Sequence, residues 1–178
     1  SPALVGSDSF TGSLSRTSGE NVGSYAYTLG SLSAGSNYTL SLTSSNFSIT
    51  AKSITVTADS GQSKIYGSTD PVFTYSASPA LVGSDSFSGS LSRTSGENVG
   101  SYAYTLGSLS AGSNYTLSLT TGNFSITAKS ITVTADSGQS KIYGSTDPVF
   151  TYSASPALVG SDSFTGSLSR TSGENVGS

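Results

Sequence analysis

Across residues 78–154 the apolar side chains fall on every second position, in short runs separated by glycine and serine. Ile131, Val133 and Ala135 alternate with threonines, Phe87, Gly89 and Leu91 with serines, and Tyr102, Tyr104 and Leu106 with Ala103 and Thr105. Tyr115, Leu117 and Leu119 alternate with Thr116 and Ser118, Phe124, Ile126 and Ala128 close the set, and 149–152 forms a short mixed run behind the turn signal Asp147-Pro148. A period of two places one class of side chain on each face of a strand, so six strands are predicted. Nine glycines between positions 78 and 154 leave no amphipathic stretch able to hold a helix, beyond one helical turn at 79–83. The pattern predicts an all-β sandwich of about six or seven strands, Ig-like in architecture. A β-grasp arrangement is the alternative, and it needs a helix.

The phase of the alternation slips once. It is even at 124, 126 and 128 and odd at 131, 133 and 135, with the slip at Lys129-Ser130 and again at Lys52-Ser53. A slip of one residue turns every side chain to the opposite face, so a single strand of one sheet cannot run through it. The slip therefore marks a boundary between domains joined by two residues. Such a linker is too short for free tumbling, and domains stacked end to end as a stiff rod or fibre are expected.

Internal repetition sets the scale of those domains. Ser1-Pro2-Ala3-Leu4-Val5-Gly6 recurs from Ser78 and again from Ser155, so the sequence repeats every 77 positions. The first two copies differ only at Thr11/Ser88, Ser44/Thr121 and Ser45/Gly122, so 74 of 77 positions agree, and 155–178 repeats 1–24 without change. One complete domain is expected at 52–128, with 1–51 the C-terminal part of a preceding domain and 129–178 the N-terminal part of the next. The absence of an initiator methionine and of a signal peptide leads us to expect an excerpt from a longer chain.

Composition narrows the chemistry. The chain has no Cys, His, Met or Trp, which removes disulfides, thiolate nucleophiles and the commonest general base and metal ligand. Seven basic against ten acidic residues give a net charge of −3 and offer no basic stripe for nucleic acid. No apolar run exceeds three residues, so no membrane span is expected. Ser and Thr supply 28 of the positions from 78 to 154, against 21 large apolar or tyrosine side chains. That ratio suits one small core beneath a surface of hydroxyls, as in an exposed extracellular fibre.

The motifs Lys141-Ile142-Tyr143-Gly144 with Asp147-Pro148, Gly83-Ser84-Asp85, Gly96-Glu97-Asn98-Val99-Gly100-Ser101-Tyr102, the segment 109–117 and Ile126-Thr127 before Lys129 stand in one order through the period. In this the chain resembles the MBG-type repeats, tyrosine-glycine subtype, of large bacterial surface proteins. The resemblance implies tandem all-β domains, an extracellular adhesin-like setting at the bacterial cell surface and a stalk role. It implies no catalytic residue.

Candidate site chemistry is sparse. Tyr66-Gly67 and Tyr143-Gly144 could form a ligand platform, but tyrosine packed at a strand end beside a glycine with positive φ accounts for the pair, and we prefer that reading. Asn98-Val99-Gly100 reads as a loop before a strand, with Gly100 relieving backbone strain. Asp59-Ser60-Gly61, Asp70 and Asp85 carry oxygens that suit calcium, yet they match no EF-hand and such aspartates commonly bond their own backbone. Ser140-Lys141 could be drawn as a nucleophilic pair, an adjacency that chance supplies among so many hydroxyls. Asn114-Tyr115-Thr116 and Asn123-Phe124-Ser125 fit the glycosylation sequon, and an intramolecular Lys-Asn crosslink would show as the loss of one ammonia per domain. No catalytic, cofactor-binding or metal residue is assigned, and calcium is the one cation left open. Two functions are expected to compete: a structural spacer projecting a distal region, and a multivalent carbohydrate- or protein-binding repeat. The partners expected are neighbouring repeats of the same chain, further copies associating laterally or head to tail, and an unnamed host or matrix ligand.

Overall fold

The computed structural model describes residues 3–43, 45–120 and 122–177, so the Ser44/Thr121 difference lies outside the described residues. The fold is all-β, in several sheets and tandem copies, and no helix occurs among the described residues. Its strands are β1 (Ser15–Arg16), β2 (Gly23–Thr28), β3 (Asn46–Ile49), β4 (Lys52–Ala58), β5 (Ser63–Ile65), β6 (Tyr75–Ser78), β7 (Ser92–Arg93), β8 (Gly100–Thr105), β9 (Tyr115–Thr120), β10 (Asn123–Thr127), β11 (Thr132–Ala135) and β12 (Tyr152–Ser155). They form sheets in the orders β1-β2-β3, β6-β4-β9, β5-β10-β8-β7 and β11-β12.

By contact the chain divides into two units, the first holding Ser1–Ser60, Val72–Arg93 and Tyr104–Gly122. Its central strand is β4, whose Ile54 and Val56 are fully buried while the intervening threonine is exposed. Strand β6 joins β4 antiparallel from Thr55↔Ser78 to Ala58↔Tyr75, and β9 joins it parallel from Lys52↔Tyr115 to Thr57↔Thr120. The ring of Phe73, just ahead of β6, meets Tyr104 edge to face with centroids 5.3 Å apart, and Leu91 and Leu109 are buried in the same unit. The second unit holds Gly61–Pro71, Thr94–Ala103 and Asn123–Ser178. Here β10 is central, antiparallel to β8 and parallel to β5, and it buries Phe124 and Ile126 completely while Ser125 and Thr127 face outward. Each central strand thus has one buried face, as the period of two requires.

Several sequence expectations need correction. The run at 149–152 is not the strand; β12 begins at Tyr152 and its counterpart β6 at Tyr75, because β4 ends its ladder at the Ala58↔Tyr75 pair and the residues ahead follow the proline turn. Between Phe87 and Leu91 there is only an isolated bridge, Ser88↔Ser110, since Gly89 turns the backbone to φ +72°. The helical turn at 79–83 is absent, and a hydrogen-bonded turn from Asp85 N–H to the Val82 carbonyl (3.0 Å) lies there instead. Strand β5 was unforeseen because its inward residue is Lys64. Finally, Val133 is 41% exposed although its counterpart Val56 is fully buried; among the described residues β11 pairs with β12 alone, whereas β4 is flanked by both β6 and β9.

Candidate functional site

The most organised polar chemistry is a charged cluster that recurs at the period of the sequence. In the central copy the Lys64 ammonium, on β5, reaches Asp70 at 2.7 Å and also pairs with Glu97. In the third copy Lys141 bridges Asp147 (2.8 Å) and Glu174 (2.6 Å), and Arg170 grips Asp147 through Nε and Nη2, both at 2.9 Å, while reaching Glu174 at 2.7 Å. In the first copy Arg16 pairs with Glu20 at 2.6 Å and lies over the rings of Tyr25 and Phe47 at 4.8 and 5.1 Å.

The electrostatics of this cluster oppose catalysis by lysine. A general base must surrender its proton near neutrality, whereas Asp147 first and Glu174 second push the Lys141 ammonium above its ordinary value. Lys64 moves the same way, through Asp70 and then Glu97. Arg170 and then Lys141 hold Asp147 below the usual carboxylate range, and Lys141 and then Arg170 do the same to Glu174. Sequence reasoning missed the cluster because Lys64 and Glu97 stand 33 residues apart, and only the Arg-to-Glu spacing of four was visible.

Each candidate calcium ligand is engaged with another partner. Asp70 serves Lys64, the Asp85 carboxylate accepts from Tyr115 Oη at 2.5 Å, and the Asp59 N–H donates to the Thr74 carbonyl. No group of three or more metal-ligating side chains converges among the described residues. Gly100 does not relieve strain as expected: it opens β8, and the positive φ (+140°) lies at Gly96, where a Cβ would strike the Tyr102 ring. Tyr102 Oη donates to the Asn98 carbonyl at 2.7 Å. Of the sequon residues, Asn114 accepts from Val22 N–H (2.8 Å) and donates to Asn21 Oδ1 (3.0 Å), while Asn123 opens β10. Tyr66 Oη donates to Asp162 at 2.9 Å, and Tyr143 stands 70% exposed.

A hollow of about 580 Å³ is lined by Phe150 and Leu168 together with Asp147 and Arg170. The counterparts of the first two, Phe73 and Leu91, are buried in the central copy. The hollow thus coincides with positions that form the core of the central copy.

A sequence that repeats every 77 positions, one buried face per sheet and ion pairs recurring at that period define a tandem-repeat β protein. The family comparison agrees, matching the MBG domain (YGX type) over residues 1–48, 54–125 and 131–178, and the chain belongs to this family of surface-protein repeat modules. No curated protein and no solved structure matches it. No helix among the described residues is long and apolar enough to cross a membrane.

Proposed function

We propose that the chain is part of a non-catalytic stalk in an extracellular bacterial adhesin or surface fibre, with 52–128 one complete domain and its neighbours spacing a distal functional region from the cell. The observation that carries this reading is the agreement of 74 of 77 positions between copies. A unique active site needs one copy to differ from the rest, whereas a spacer needs every copy to do the same mechanical work. The two-residue linkers favour stiff end-to-end stacking, and the hydroxyl-rich surface suits exposure outside the cell.

A multivalent binding repeat is the competing reading. It calls for aromatic side chains displayed apart from the core pattern, and several of the aromatics here are engaged elsewhere. Tyr75 meets Phe87 edge to face, Phe73 meets Tyr104, and Tyr38 and Tyr115 bond Asp8 and Asp85. Binding of the 178-residue chain to a glycan array separates the two. Background signal across the array is the expected result, and specific, saturable binding to one glycan class overturns the spacer reading.

A further inference from the structure

The tyrosine-glycine pair has no part in the core, yet it recurs with the period. One structural turn explains it. In all three copies the segment Val-Gly-Ser-Asp closes on itself, with the aspartate N–H donating to the valine carbonyl at 3.1 Å (Asp8 to Val5) and 3.0 Å (Asp85 to Val82, Asp162 to Val159). The three turns share their sequence, so differences between them report their surroundings. Val5 is 73% and Val82 60% exposed, whereas Val159 is half-buried. What covers Val159 is the pair Tyr66-Gly67 of the preceding copy.

We propose that Tyr66-Gly67 is a docking site for the Val-Gly-Ser-Asp turn of the repeat that follows it, and that Tyr143-Gly144 is the same site standing open for the next such turn. Tyr66 follows β5 directly, and its N–H donates to the Thr127 carbonyl at the end of β10 (2.8 Å), so the ring leaves a fixed platform. Its hydroxyl donates to Asp162 across 96 residues of sequence. Beside it Gly67 takes φ +86°, and a Cβ there would run into the Val159 side chain, so glycine is required both for the backbone and for the approach of the valine. Gly144 takes nearly the same φ, +84°, with open space around it, and its neighbour Tyr143 is exposed where Tyr66 is half-buried.

The occupant is identified by complementarity. The site offers a phenol donor beside a notch that admits one small apolar side chain. The turn offers a carboxylate three residues after a valine. The aspartate serves its own repeat as well: Tyr115 bonds Asp85, and the same hydroxyl accepts the Val82 N–H at 2.8 Å. A carboxylate accepts several hydrogen bonds, so it can hold the β9 tyrosine of its own repeat and the tyrosine of the preceding repeat together. The proposal rests on the tandem arrangement and not on whether the array spaces or binds.

Hydrogen–deuterium exchange on the 178-residue chain, read at the amides of 157–163, tests it without any ligand. Tyr66→Phe removes only the hydroxyl, and Gly67→Ala adds the colliding methyl; each is expected to speed exchange there about tenfold, the loss of one hydrogen bond to a charged group. Gly144→Ala imposes the same backbone strain with nothing nearby and is expected to leave 157–163 at the parent rate. Parent-like exchange in both Tyr66→Phe and Gly67→Ala overturns the proposal, as does equal acceleration by Gly144→Ala. If Gly67→Ala does not fold, Tyr66→Phe decides alone.

Discussion

Lysine is among the residues least expected on the inward face of a strand, and Lys64 occupies that position with its side chain 4% exposed. Its ammonium is tolerable there because Asp70 and Glu97 meet it. Removing a partner should therefore do more harm than removing the charge. Asp70→Ala is expected to lower the melting temperature by several degrees, and Lys64→Met by less; thermal unfolding followed by circular dichroism compares them. The carboxylates of the third copy give a pH signature. Asp147 and Glu174 are held below their ordinary values by Arg170 and Lys141, so their contribution is complete above about pH 4 and is lost as pH falls through the lowered values. The Tyr66 and Tyr115 hydroxyls are raised chiefly by donating to Asp162 and Asp85, so their contribution is complete below about pH 10 and is lost above it. Melting temperatures from pH 2 to 12 should show a plateau with shoulders at those two edges, and the acid shoulder should shrink in Glu174→Gln.

Strands were legible in the sequence wherever a β-branched or aromatic residue met a period of two. Ile54 and Val56 on β4 and Phe124 and Ile126 on β10 are the fully buried side chains that the alternation marked. What escaped was each case where pairing and not side-chain pattern sets the limit: β5 forms because the edge of β10 is available to it, and β6 starts where β4 can still pair. The charged cluster escaped for a related reason, since its members meet only after the strands have brought them together. The slip at Lys129-Ser130 falls between β10, which ends at Thr127, and β11, which starts at Thr132, whereas Lys52-Ser53 already belong to β4 and the gap after β3 lies at 50–51. This contrast between copies makes a sharp test. Val56→Asp should abolish cooperative unfolding, because a charge would enter the core without a partner, while the identical change Val133→Asp should barely move the midpoint, since that residue is already 41% exposed. Phe124→Ala should cost about 3–5 kcal/mol by urea denaturation. If Val56→Asp and Val133→Asp melt alike, the core face is assigned wrongly.

At the scale of the molecule, repetition creates complementary ends. In the central copy β4 is flanked on one side by β6 and on the other by β9, through the six parallel pairs from Lys52↔Tyr115 to Thr57↔Thr120. In the third copy β11 has β12 on the first side and no paired strand on the second among the described residues. The segment 38–43, counterpart of β9, belongs to no sheet, although it carries the same alternation, with Tyr38, Leu40 and Leu42 half-buried. An open edge and an unpaired strand of matching sequence form a template and its complement. We therefore expect the 178-residue chain to associate head to tail, with residues 38–43 of one molecule laid parallel to β11 of another in the register that β9 adopts on β4. Sedimentation velocity should show the average mass rising with protein concentration. Leu42→Pro, which removes a backbone donor from the docking strand, should suppress that rise while leaving the unfolding of the central copy unchanged. A chain that stays monomeric at the highest attainable concentration, or a Leu42→Pro variant that associates like the parent, would show that these edges do not recruit a second molecule.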